Sequence, residues 1–92
     1  MPLIERVKFQ TKLQRGNRFQ VSKYVRWRYK LESDQTLQVT VCVIGVWGTT
    51  QVFLARMSKD GRIVIPKVNM GLLQNREVEL AGYVLNVTLE PF

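Results

Sequence analysis

One segment of this sequence occurs twice. Residues 58–67 read Ser-Lys-Asp-Gly-Arg-Ile-Val-Ile-Pro-Lys, and residues 14–23, which lie 44 positions earlier, read Gln-Arg-Gly-Asn-Arg-Phe-Gln-Val-Ser-Lys. Both combine a basic turn, an arginine, alternating apolar residues and a final lysine. Leu37–Val41 likewise matches Leu85–Leu89 at an offset of 48, so the second copy has about four extra residues. An internal repeat constrains the fold strongly, because each copy is expected to form the same supersecondary unit.

The repeated segment predicts a β-hairpin that leads into a short helix. Asp60-Gly61 between two β-rich runs is a strong hairpin signal, because the turn needs a positive φ that glycine adopts readily. Pro66 ends the returning strand and suits the first turn of a helix. Ser22 takes the same place in the first copy and can cap a helix over residues 23–31. Each copy is therefore predicted as a ββαβ-like unit.

Alternating apolar and polar residues predict the remaining strands. These strands cover residues 4–13, 18–21, 36–46, 51–57, 62–65, 77–80 and 83–89, and a second helix is predicted over 67–73. The two copies span about residues 4–46 and 50–92, with the join near Trp47–Thr50. Neither half is long enough to bury an adequate core alone, so both must share one. The sequence predicts a single α+β, mostly β domain, a small barrel of two intertwined ββαβ-like repeats.

The charge of the chain indicates the class of its partner. Lysine and arginine number 14 against 7 acidic residues, which gives a net charge of +7. So strong a basic excess favours a polyanion as partner. Residues 1–46 hold nine basic and three acidic residues, a net charge of +6, whereas residues 47–92 hold five and four, a net charge of +1. We expect the two copies to contribute unequally to binding.

The composition argues against an enzyme or a metalloprotein. The chain has no histidine, and Cys42 is its one cysteine. Neither a nucleophile–base pair nor a His/Cys metal site can then be assembled, and no cofactor is expected. The single cysteine fits a reducing compartment. Since the sequence has no apolar run long enough to cross a membrane and its first residues do not resemble a signal peptide, we expect a cytoplasmic protein without a membrane partner.

The second copy resembles the swapped-hairpin DNA-binding units of the AbrB/MazE/SpoVT type. The segments that carry the likeness are residues 58–67, 71–73, 77–80 and 85–89, which follow that family's order of basic hairpin turn, Gly-Arg, Ile-Pro-Lys, short helix and closing hairpin. The first copy matches more weakly, because Ser22 replaces the proline. Family members usually pair two identical units into an interleaved barrel. The resemblance implies that this chain is a pseudo-dimeric monomer, and further self-association stays open.

The resemblance also implies which residues contact DNA. Family contacts come from basic residues on the hairpin and the adjoining strand, which here are Lys59, Arg62 and Lys67 in the second copy and, through the repeat, Arg15, Arg18 and Lys23 in the first. Lys12 and Arg56 lie at equivalent places on the preceding strands and extend this surface. Two basic hairpins related by a pseudo-twofold axis suit the two phosphate tracks of a duplex. The expected protein is a nucleoid-associated double-stranded DNA binder, either a transcriptional regulator or a chromatin-like protein.

Three other functions remain open from the sequence. MazE-type relatives suggest an antitoxin-like or other protein-interaction module, and the duplication suggests a cradle-loop barrel that binds a ligand. Tyr24, Trp27 and Tyr29 alternate with basic residues, a pattern that suits stacking on the bases of RNA or single-stranded DNA. Aromatic residues at helical spacing are more often part of the core, however, and we expect these in the core, together with Cys42 in its β-rich run.

Overall fold

The computed structural model describes residues 5–33, 35–44, 50–69 and 82–92. Its elements in chain order are β1 (Val7–Gln14), β2 (Arg18–Gln20), α1 (Lys23–Arg28), β3 (Thr36–Val43), β4 (Gln51–Arg56), β5 (Arg62–Val64) and β6 (Val84–Pro91). A second helix begins at Lys67 and covers at least residues 67–69. The predicted strand at residues 77–80, most of the predicted join and the rest of the second helix lie outside the described residues.

The strands form an antiparallel sheet in the order β4-β3-β6-β1-β2-β5. This sheet curls into a nearly closed six-stranded barrel. β1 joins the strands β4, β3 and β6 to the strands β2 and β5, because it pairs with β6 over Val7–Lys12 and with β2 at Leu13 and Gln14. The predicted fold class, a small and mostly β α+β barrel, is confirmed. Within the described ranges, no helix is long and apolar enough to cross a membrane.

The inward side chains of the strands fill the barrel, as their alternation predicts. The buried apolar side chains are Val7, Leu13, Phe19, Val21, Leu37, Val39, Val41, Phe53, Met57, Ile63, Ile65, Leu85, Val87 and Leu89. They come from both halves of the chain and form one cluster. Each fully buried large side chain of this kind contributes about 1.5–3 kcal/mol to folding. The halves therefore depend on each other for their core.

Strand pairing repeats with the offsets found in the sequence. Phe9 pairs with Val87. Their equivalents in the other copy are Phe53, 44 residues after Phe9, and Val39, 48 residues before Val87, and these two also pair. Thr40 pairs with Thr88, its own equivalent. In the same way Phe19 pairs with Ile63 across β2 and β5. A pseudo-twofold axis that exchanges the two halves therefore passes through both of these pairs.

Helix α1 begins at the predicted cap and ends earlier than predicted. The Val25 N–H donates to Ser22 Oγ at 3.2 Å, which satisfies one of the free donors of the first turn. The helix stops at Arg28, and Lys30 follows with a positive φ of 54°. That conformation is incompatible with a continuing right-handed helix. The predicted helix over residues 23–31 is thus cut to Lys23–Arg28.

Three side chains expected in the core lie outside it. Tyr24 and Trp27 are 67% and 76% exposed. The short helix instead turns Val25 toward the barrel, and Tyr29 after it is half-buried against the same core. Cys42 is half-buried, because it alternates with the inward Val41 and so belongs to the outer face of β3. The prediction that these three are core residues is wrong.

Candidate nucleic-acid interface

The outer face of β2 and β5 carries two arginines on either side of the pseudo-twofold axis. Phe19 and Ile63 point inward from this ribbon and are fully buried. Alternation then turns Arg18 and Arg62 outward. They occupy diagonal positions, which lie roughly 7–8 Å apart in a regular antiparallel pair. The axis between the halves therefore emerges between two cationic side chains.

Three predicted site residues lie on two chain segments that come together at one end of the ribbon. Arg15 lies in the β1–β2 turn and Arg18 begins β2, and both are exposed. The Ile65 N–H donates to Asn17 O at 2.7 Å, which joins this turn to the chain just before the second helix. Lys67 opens that helix and is exposed. We refer to Arg15, Arg18 and Lys67 as the Arg15 cluster.

An equivalent set lies at the opposite end. Lys59 is exposed in the β4–β5 turn, and Arg62 begins β5. The Val21 N–H donates to Gly61 O at 2.7 Å, which joins this turn to the start of α1, where Lys23 is exposed. We refer to Lys59, Arg62 and Lys23 as the Lys59 cluster.

Each cluster combines two residues of one half with one residue of the other. The two hydrogen bonds that assemble the clusters are equivalent, because Ile65 and Gly61 lie 44 residues after Val21 and Asn17. Both bonds are 2.7 Å long. The six residues listed from the resemblance are thereby divided into two equivalent cationic sets. Although the halves differ in net charge, each end of the ribbon presents three cations from this list.

A glutamine positions Arg62 within the Lys59 cluster. Gln20 Nε2 donates to Asp60 O at 2.6 Å, and Arg62 Nε donates to Gln20 Oε1 at 3.3 Å. The bond to Gln20 holds the Arg62 side chain against β2, and Arg62 is half-buried there. In the β4–β5 turn, the Asp60 side chain is exposed and adds one negative charge close to this cluster.

Lys12 and Arg56 lie on the strands that lead into the two turns. Lys12 is exposed on β1 opposite Val84. Arg56 is exposed at the end of β4, where its Nε donates to Thr36 Oγ1 at 3.3 Å. The hydrogen bonds that assemble the clusters do not involve these two residues. Both flank the clusters at equivalent positions of the repeat.

Arg26 is not among the site residues predicted from the sequence. Its side chain lies over Gly61, and a Cβ placed on that glycine would come within 2.5 Å of Arg26 Nε. Arg26 Nε is buried without a hydrogen-bond partner among the described residues. The Arg26 side chain thus fills the space between α1 and the turn that carries Lys59. A hairpin glycine is usually explained by its φ, and Gly61 does have a φ of 81°, so nothing in the sequence indicated this second constraint.

The exposed face of α1 is both aromatic and basic. Tyr24 and Trp27 are three residues apart, so they share one face of the helix. Lys23 and Arg28 are exposed on the same short helix. Arg28 also lies over the Tyr29 ring, with 5.3 Å from its guanidinium carbon to the ring centroid. Such a face combines apolar ring surface with positive charge.

An open groove lies on the outer face of β1 and β6. It is lined by Lys8, Gln10, Asn86 and Thr88 together with Phe9 and Val87. This concave surface is where the ligand-binding alternative would place a small molecule. Among the described residues, no group of three or more His, Cys, Asp or Glu side chains is arranged to hold a metal ion.

Comparisons with known proteins give the fold. No protein-family model matches the sequence, and no curated protein matches it. The solution structure of PHS018 from Pyrococcus horikoshii is similar, with a TM-score of 0.74 and 22% sequence identity over 99% of this chain and 94% of that chain. A likeness at this identity extends to the fold alone, and one fold hosts many functions.

Proposed function

We propose that this protein binds double-stranded DNA through the Arg15 and Lys59 clusters. The observation that supports the proposal is the arrangement of two equivalent three-cation sets around a pseudo-twofold axis. The axis passes through the Phe19–Ile63 pair, and Arg18 and Arg62 flank it on the outer face. Arg15, Lys59, Lys23 and Lys67 are exposed at the two ends. A duplex has local twofold axes of its own, so one such axis can coincide with that of the protein.

Phosphate neutralisation supplies the affinity in this proposal. A protein that neutralises phosphates with lysine and arginine releases condensed counterions, so its binding weakens steeply with salt. Each cluster is suited to one strand of the duplex, and contacts to both strands would fix the register of the barrel without reading bases. The net charge of +7 adds a long-range attraction to any polyanion.

The likeness of residues 58–67 to AbrB/MazE/SpoVT-type hairpins supports the same surface. In that family, basic residues of the hairpin contact the DNA, and Lys59, Arg62 and Lys67 match those positions. We propose a regulatory or chromatin-like role in the nucleoid, with both DNA-binding units supplied by a single chain.

A salt series of duplex binding tests the proposal. The wild type, an Arg18→Ala/Arg62→Ala variant and an Arg6→Ala/Lys8→Ala control are titrated with a duplex of random sequence at several salt concentrations. The control removes two exposed cations outside both clusters. We expect the log–log slope to fall by about 1.8 in the Arg18/Arg62 variant, at about 0.9 per lost phosphate contact, and to stay unchanged in the control.

Two results would overturn the proposal. Absence of duplex binding by the wild type at low salt would remove DNA as the partner. Equal changes of slope in the variant and the control would show that the attraction is spread over the whole surface and that the clusters are no binding site.

A further inference from the structure

The aromatic face of α1 is not covered by the part of the barrel that the structure describes. Trp27 and Tyr24 are 76% and 67% exposed, although most large aromatic side chains of small domains lie largely buried. Val25 contacts the core from the other side of the helix. These two rings therefore contribute little to folding. Their flat apolar faces are available to stack on a ligand.

The charges around these rings favour a polyanionic ligand. α1 contains Lys23, Arg26 and Arg28 and no acidic residue. Its first residue belongs to the Lys59 cluster, and the Arg26 side chain lies over Gly61 in the turn of that cluster. The acidic residues closest along the two segments are Asp60 in that turn and Glu32 after the helix. The aromatic face thus continues the cationic surface of one end of the ribbon.

The second half of the sequence has neither aromatic nor basic residues at the positions equivalent to Tyr24, Arg26, Trp27 and Arg28. Position 68, equivalent to Tyr24, is a valine that is 75% exposed. Residues 70–72 read Met-Gly-Leu, where the first half has Arg-Trp-Arg at 26–28. Within the part of the chain that the structure describes, the aromatic and basic helix face therefore belongs to the Lys59 end. Symmetric duplex binding does not account for an aromatic surface at one end of the ribbon.

We infer that α1 forms a site for single-stranded nucleic acid that adjoins the proposed duplex site and shares Lys23 and Lys59 with it, while Trp27 and Tyr24 belong to the single-strand site alone. Unpaired bases stack on Trp27 and Tyr24, and the phosphates of the same strand run along Lys23, Arg28 and Lys59. Base–aromatic stacking beside a basic groove is the general mode of sequence-tolerant single-strand binding. RNA and single-stranded DNA share this chemistry, since both present unpaired bases on a phosphate backbone.

Affinity for labelled oligonucleotides tests the inference. Fluorescence anisotropy is measured with oligothymidylate and oligouridylate of about 12 nucleotides, within the usual site size, for the wild type and for Trp27→Ala. We expect the substitution to weaken binding of the preferred oligonucleotide by about tenfold, as the loss of one base stack predicts. Duplex binding should stay unchanged. Tighter binding of oligouridylate would identify RNA as the ligand, and tighter binding of oligothymidylate would identify DNA.

Matched variants separate stacking from charge. Tyr24→Ala should weaken single-strand binding, whereas Val68→Ala, at the equivalent exposed position, should not. Trp27→Phe should keep most of the affinity, because it keeps a stacking ring, and should reduce the quenching of tryptophan emission by the oligonucleotide. The four variants change three positions, 24, 27 and 68, and all three side chains are largely exposed, so thermal unfolding should confirm that each variant folds.

The inference fails if Trp27→Ala binds both oligonucleotides as tightly as the wild type does. It also fails if the substitution weakens duplex and single-strand binding equally, since the rings would then belong to the duplex surface. Loss of single-strand affinity in a protein that does not bind duplex would support the inference and reject the proposed duplex function, so the two can be told apart.

Discussion

Arg26 of α1 lies directly over Gly61 in the turn between β4 and β5. A Cβ on Gly61 would meet Arg26 Nε at 2.5 Å and the guanidinium carbon at 2.6 Å, both closer than real Cβ contacts. Gly16, the glycine of the other hairpin turn, has a similar φ of 85° but would place its Cβ 3.6 Å from Arg18 Nε. Both turns therefore need a residue with positive φ, but a side chain covers the glycine closely only in the turn of Gly61.

Gly61→Ala should destabilise the protein more than Gly16→Ala does. Both substitutions put a Cβ on a residue with positive φ, which costs about 1–2 kcal/mol. Gly61→Ala must in addition displace the Arg26 side chain, whereas ordinary van der Waals contact accommodates the Cβ of Gly16→Ala. Equilibrium unfolding in urea, compared at equal m-values, measures the difference.

An Arg26→Ala background provides the control for this comparison. In that background the two glycine substitutions should have equal effects, because the group that Gly61→Ala displaces is gone. A persistent excess for Gly61→Ala would mean that its cost comes from the backbone of the turn and not from Arg26.

Phe19→Ala should cost about 3–5 kcal/mol of unfolding free energy, as expected for a large aromatic residue removed from a packed core. Phe19 is fully buried, pairs with Ile63 on the pseudo-twofold axis and lies 6.5 Å from the Phe9 ring centroid. Chemical denaturation measures the loss. Val64→Ala, at an exposed neighbour on β5, should change stability by less than about 0.5 kcal/mol. Similar losses for both would contradict a core shared along this axis.

Ser22→Ala should lower stability by about 1 kcal/mol, because the Val25 N–H loses its acceptor. Ser22→Asp should retain most of the stability, since aspartate is an equally good N-cap. Thermal unfolding followed by far-ultraviolet circular dichroism compares the three proteins. If Ser22→Asp were as unstable as Ser22→Ala, the hydrogen bond would not be the source of the effect.

The two clusters should contribute equally to duplex binding, because each combines residues of both halves. This prediction replaces the expectation, drawn from the net charges of the halves, that the two copies contribute unequally. Arg15→Ala/Lys67→Ala and Lys59→Ala/Lys23→Ala each remove one residue from each half and two cations from one cluster. Both variants should reduce the log–log salt slope by about 1.8. A clearly larger effect for one pair would assign the phosphate contacts to a single end and would contradict the twofold arrangement.

The fold could be predicted because both signals that specify it are local. The hairpin turns at Gly16 and Gly61 need positive φ, and the alternation along β1, β3, β4 and β6 turns one set of side chains inward regardless of which strand lies next to them. The repeat offsets of 44 and 48 reappear in pairs such as Val39 with Phe53, because equivalent residues of two repeats take equivalent places in a shared barrel, but these pairings were not predicted from the sequence. The cap at Ser22 belongs to the same class of local information.

The basic residues of the candidate site remain a prediction, made from their places in the repeat and from the family likeness. How these residues are grouped in space could not be predicted from the sequence. Their grouping depends on two long-range hydrogen bonds, from Val21 N–H to Gly61 O and from Ile65 N–H to Asn17 O, which exchange the helix starts between the halves. A single sequence does not show which turn meets which helix, since either assignment satisfies the same local preferences.

The sequence by itself determined the strands, the turns, the cap and the shared core. Each of these depends on backbone conformation or on the periodicity of apolar residues, both of which are properties of neighbouring positions. Only the tertiary structure decided that Tyr24 and Trp27 are exposed and that Arg26 covers Gly61. Helical spacing shows that two rings share a face, but the barrel determines which face of so short a helix is buried, because that face must contact residues distant in the chain.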